Sequence, residues 1–160
     1  MVKNFIKIFI IIFIALIQIF IMPSFAIFGN WPNLILVLAV ILLFFNADPE
    51  AVLAACAGGL VLDLASPAPF GLFTILLVII TLLVKLLMSR FFNEPSLLII
   101  TLIMICVLFT FDAILSLVNH NFSFTVIGFN ILYSLIIAVI FYRLLSIWFD
   151  RNQGIKIKLR

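Results

Sequence analysis

Two carboxylates stand inside apolar runs of this sequence, Asp63 in "GGLVLDLAS" and Asp112 in "FTFDAILSLVNH". Two such groups sharing one proton could activate water, as in aspartyl hydrolysis. They could instead accept hydrogen bonds that fix neighbouring helices, or offer oxygens to a solute. The residues around them bear on the choice. Four-residue spacing puts Ala55, Gly59 and Asp63 on one helix face, with Ser66 nearby. Small residues on such a face let a second backbone approach closely, so the carboxylate would meet protein rather than lipid. An ionised aspartate at a helix centre costs roughly 3 kcal/mol on insertion scales, and less near the interface. Asp63 therefore needs a hydrogen-bond donor or a proton. Asp112, Ser116 and Asn119 repeat the pattern at i, i+4 and i+7, with His120 just beyond and Asn130 and Ser134 in the following run. Together they predict a polar cluster open to the outer side. It either caps helices and hydrogen-bonds within the bundle, or forms a binding surface for a solute or a partner.

Hydrolysis is the weaker match. "FFNADPE" and "GGLVLDLAS" resemble fragments of the lipoprotein signal peptidases, but in reversed order. The asparagine and arginine of that family's second motif are replaced by Leu62 with Asp63 and by Leu64 with Ala65. There is no H-E-x-x-H, G-x-S-x-G or glycine-rich phosphate loop in the chain. Cys56 and Cys106 lie in separate apolar runs, without the neighbouring cysteine or histidine that a zinc site requires, and are read as small core residues. We expect no enzyme, no metal and no cofactor.

The elements that hold these groups must be membrane helices. The 160 residues are 68% hydrophobic and 9% charged, with a mean hydropathy of +1.50. A soluble domain of this size has no core large enough for so much apolar surface. The net charge of +3 flanks the apolar runs rather than forming a basic stripe, which argues against a nucleic-acid partner. Runs and breakers give six spans at about 5–22, 34–45, 51–65, 72–88, 97–118 and 126–149, in one polytopic domain over 1–160. They are separated by "GNWPN", "NADPE", "SPAPFG", "FFNEPS" and "NHNFS". Lys3 and Lys7 before an apolar stretch and "PSFA" mimic a secretory signal, but 18 residues exceed the roughly 7–15 of a signal core, so the segment is read as a retained span. Spans two and three are short for a hydrocarbon core of about 30 Å, and would draw in flanking residues or be buried among the others.

With both termini in the cytoplasm, all nine Lys and Arg residues fall at or near inner ends, as the positive-inside rule requires. Only the "NADPE" turn, inner yet acidic, departs from it. Lys85 shares a face with Thr74 and Thr81 and is placed to snorkel toward inner headgroups near Arg90. The tail "IKIKLR" is an orientation signal or a site of attraction to anionic lipid.

Residues 31–84 resemble the rod shape-determining protein MreD family of the bacterial inner membrane. Three features carry the resemblance: Pro32-Asn33-Leu34 opening the second span, "GGLVLDLAS" closing the third and "PFG" opening the fourth. The family commonly has aspartate where this chain has Asn33, which keeps a helix cap and removes a charge. The resemblance implies a non-enzymatic, multi-pass inner-membrane scaffold that binds MreC. Through that protein it would reach MreB, RodA and a penicillin-binding transpeptidase, controlling lateral peptidoglycan synthesis and rod shape. It directs attention to Pro32, Asn33, Gly59, Asp63, Pro69 and Gly71, and the expected mechanism is lateral helix docking at Ala55 and Gly59 with Asp63 setting the register. The family is also similar in architecture to the six-helix substrate-binding subunits of energy-coupling-factor transporters, so a vitamin-type solute carrier subunit is the alternative.

Overall fold

A computed structural model describes residues 2–26, 32–91, 97–118 and 124–152. The described residues form six α-helices and no strand: α1 (Val2–Phe20), α2 (Leu34–Phe44), α3 (Asp48–Ala65), α4 (Leu72–Phe91), α5 (Leu97–Val118) and α6 (Phe124–Asn152). One 3-10 turn, Met22–Phe25, follows α1. Stretches in α1 with its 3-10 turn, α4, α5 and α6 are long and apolar enough to cross a membrane, which is the make-up of a multi-pass membrane protein. Their outer faces are apolar, with Phe20 of α1 74% and Leu86 of α4 64% exposed.

The six helices coincide with the six expected apolar runs, four of them long and apolar enough to cross a membrane, and their ends shift for local reasons. Pro49 lacks an N–H that the first helical turn would not use, so α3 starts at Asp48 rather than Ala51. The acids Asp48 and Glu50 then stand in its first turn, where the helix dipole favours negative charge. The turn before it is a tight helix ending. Asn46 takes φ 55°, its N–H reaches Leu43 O at 3.0 Å, and that of Ala47 reaches Leu42 O at 3.0 Å.

The shortest helix is the centre of the bundle. With 11 residues α2 is about 16 Å long, half a bilayer core, and it has no polar side chain. Leu34 to Leu43 are all buried, and α2 touches each of the other five helices. A helix that is apolar all round belongs in an interior. α3 packs on α1, α2 and α4, whereas α6 packs on α2 and α5.

Contacts at the two ends show the chain reversing at each helix. One end gathers the ion pair of Lys7 with Glu50, the pair of Lys85 Nζ with Asp48 Oδ2 at 3.0 Å, and the stacked rings of Phe45 and Tyr142 at 5.5 Å. The opposite end holds Gln18 with Asn33, Asp63 with Thr74, Phe73 beside Phe111 and Asp112 with Asn130. The first end also carries Arg90 and Arg143, and is the one the charge rule assigns to the cytoplasm. Its acidic turn is thereby accounted for, because Glu50 pairs with Lys7 of α1 and Asp48 with Lys85 of α4.

Gly58 and Gly59 bring α3 against two neighbours at once. A Cβ on Gly58 would stand 2.6 Å from Ile35 Cγ2 of α2, and one on Gly59 would stand 2.7 Å from Thr74 Cα of α4. A Cβ on Gly128 of α6 meets nothing within 4 Å. In thermal melts followed by circular dichroism in detergent, Gly59→Ala should lose about 1–3 kcal/mol, because backbone has to give way. Gly58→Ala, opposed by the Cγ2 of the buried, β-branched Ile35, should lose a similar amount. Gly128→Ala should be neutral or gain up to about 1 kcal/mol from helix propensity alone.

Candidate functional site

The polar side chains of the outer end fall into two groups that differ in how completely they are satisfied. The first is built where α2 and α4 begin. A helix leaves its first N–H groups without intrahelical acceptors, and lipid offers none. For α2, Asn33 Oδ1 accepts from Leu36 N at 3.0 Å and Gln18 Oε1 accepts from Ile35 N at 3.0 Å. Gln18 Nε2 donates to Asn33 Oδ1 at 3.3 Å, which fixes both amides. Pro32, buried just before this cap, leads the chain in.

For α4 the acceptor is Asp63. Its Oδ1 takes Phe73 N at 2.8 Å, and its Oδ2 takes Thr74 N at 3.0 Å together with the Thr74 hydroxyl. The carboxylate caps α4 from α3, across a loop whose geometry the residues dictate. Ser66 Oγ accepts from Ala68 N at 3.1 Å. Leu72 N then reaches Pro69 O at 3.1 Å around Gly71, whose φ of +93° suits glycine at the third position of a type II turn. Asp63 is 4% exposed, and Ala55 and Gly59 on the same stripe are buried.

The expectation that this face meets protein is met by the chain itself. Lateral docking of another protein at Ala55, Gly59 and Asp63 is therefore corrected: the fourth helix already occupies that face, so these side chains have no free surface to offer. Asp63 does set a register, that of α3 against α4. Thr74, Thr81 and Lys85 share a face as expected, and it lies along α3 from Asp63 to Asp48. The Thr81 hydroxyl donates to Leu77 O at 2.7 Å, and Lys85 meets Asp48 in place of a lipid headgroup.

The second group lies between α5 and α6. Asn130 Nδ2 donates to Asp112 Oδ2 at 2.9 Å. Asn130 Oδ1 and Ser134 Oγ are buried and make no hydrogen bond among the described residues, and Ser134 is 1% exposed. Ser116 is half-buried one turn beyond Asp112, and Asn119 lies outside the described residues, as does His120. The expected outward-open cluster is thus closed over its two innermost oxygens, because that side of α6 packs on α2 and α5. Cys106, expected in the core, is exposed on the lipid-facing side of α5, while Cys56 is half-buried. Among the described residues no group of three or more His, Cys, Asp or Glu could hold a metal ion.

Comparison with protein-family models, with curated proteins and with solved structures returned no match.

Gln18 and Thr74 are the site residues that the sequence analysis missed. A lone glutamine in the apolar stretch before "WPN" was the available signal for the first, since an amide there demands a polar partner. Removing the cap orders the expected losses. Asp63→Ala should lower stability in detergent by about 2–3 kcal/mol, by stranding two N–H groups and a hydroxyl. Asp63→Asn, which keeps one accepting oxygen, should lose less, and Thr74→Val, which removes the hydroxyl alone, about 1 kcal/mol. Equal melting temperatures for wild type and Asp63→Ala would remove the cap from the account of the fold.

Proposed function

We propose that this chain is a scaffold of the bacterial cell-elongation machinery, binding MreC in the inner membrane and helping control lateral peptidoglycan synthesis and rod shape. What supports this is the resemblance to the MreD family together with one structural observation. The three stretches that carry the resemblance, the first some two dozen residues before the other two, meet at one place in the fold. Pro32-Asn33 caps α2, Gly59 and Asp63 of α3 receive the first turn of α4, and Gly71 makes the turn between them. A family signature concentrated on one internal lock fits a protein whose role is to hold a defined membrane surface, and fits less well a signature of reacting groups.

The lock also changes how a partner would be held. With Ala55, Gly59 and Asp63 used internally, MreC would meet the exposed apolar flanks of the bundle, whose shape the lock maintains. The rival function, a substrate-binding subunit of a vitamin-type transporter, draws on the buried unpaired oxygens of Asn130 and Ser134. It requires a stoichiometric small molecule in native mass spectrometry.

Depleting the protein should round the rod-shaped cells that make it, and MreC should co-purify with it in mild detergent. Asp63→Ala should reduce the amount of folded protein in the membrane while leaving MreC recovered per folded chain unchanged. Normal cell shape after clean deletion, with no MreC recovered, would refute the scaffold function. A loss of MreC binding by Asp63→Ala at matched folded levels would restore Asp63 to the docking surface.

A further inference from the structure

Charge is balanced unevenly among the acids whose side chains are described. Glu50 has Lys7, Asp48 has Lys85, and Asp63 has two backbone N–H groups and a hydroxyl at a helix N-terminus. Asp112 has a single neutral donor, the Asn130 amide, and no Lys, Arg or His within ion-pair distance among the described residues. It lies within the span Ile99–Val118, less than two turns from its outer end, where a lone charge still costs free energy without a positive partner.

The neighbouring atoms sharpen what that partner must be. Because Asn130 Nδ2 is turned to Asp112, its Oδ1 points elsewhere, buried and without a donor. Ser134, one turn along the same helix, adds a buried hydroxyl oxygen, also without a partner. α6 packs on α5 and α2, and α2 from Leu34 to Phe44 has no polar side chain to supply a donor. Three side chains of the α5–α6 seam thus carry hard oxygens, those of Asn130 Oδ1 and Ser134 Oγ without a donor among the described residues, next to a carboxylate with no cationic partner among them. Such a donor set suits a small alkali cation, which would supply the missing charge and occupy the acceptors together.

We propose that the oxygens of Asp112, Asn130 and Ser134 between α5 and α6 form a binding site for one small monovalent cation. The site ties α5 to α6 on the side of the bundle where the described residues show no ion pair. It is independent of the scaffold function and stands or falls by ion binding alone.

The test compares melting temperatures of the purified full chain in sodium, lithium, potassium and choline chloride at equal ionic strength. At least one alkali ion should raise the melting temperature by about 5 °C over choline, saturably, as for a ligand bound only by the folded state. Asp112→Asn and Ser134→Ala, both close in shape to the native side chains, should abolish that increment while keeping the helical circular dichroism. Equilibrium dialysis of wild type with radioactive sodium, which needs no variant, should find one ion per chain, displaced by unlabelled alkali ions and not by choline. Identical melting in all four salts with no ion retained would overturn the proposal and leave the oxygens to buried water. An increment that survives both substitutions would place the ion elsewhere and overturn it equally.

Discussion

The need to satisfy the first N–H groups of helices that begin inside an apolar bundle organises the rest of this structure. A helix that starts in water leaves those groups to the solvent, and one that starts among lipid and side chains has to find oxygens. α2 and α4 both start this way, on either side of α3. Asn33 with Gln18 serves one and Asp63 serves the other. The adjacent glycines Gly58 and Gly59 bring the first turns of both helices close, so that capping and packing occur in one place. α2 is only half a bilayer long and wholly apolar, and its burial among five helices follows from that anchored start.

The opposite end uses charge where the outer end uses neutral donors. Asp48 and Glu50 are favoured at the N-terminus of α3 by its dipole and held by Lys85 and Lys7 from the helices on either side. These pairs are partly exposed, so each is worth at most about 1 kcal/mol. Their greater effect is on register. α3 and α4 are pinned near both ends, at Asp63–Thr74 and at Asp48–Lys85, and a slide of one turn would break both contacts together.

Much of this was legible beforehand, and for physical reasons. Runs of apolar residues broken by Asn, Pro and Gly located the six helices, because insertion into lipid selects on composition. The stripe of Ala55, Gly59 and Asp63 identified a close-packed face, because helical periodicity is local. Which helix would fill that face was hidden, since the pairing of Asp63 with Thr74 depends on the turn at Gly71 and on α2 being buried. Gln18 went unread because its partner lies across a loop. The acids of "NADPE" broke a rule that counts charges along the chain, and their explanation was contact across helices.

Asp63 and Asp112 began as equals, two carboxylates near the outer ends of two spans, and the structure separates them. Proteins keep buried acids for the contacts those acids complete, so the completeness of the contacts discriminates between roles. Asp63 has donors for both oxygens and sits where a cap is required, which is sufficient reason for a carboxylate in that stretch. Among the described residues Asp112 has one neutral donor, Asn130, whose own Oδ1 is buried and unpaired, as is Ser134 Oγ one turn further along α6. A carboxylate held by one neutral amide has capacity for a further partner that Asp63 does not have. That asymmetry assigns the α3–α4 hairpin to architecture, and makes the α5–α6 seam the part of the bundle where binding would add something the fold does not already have.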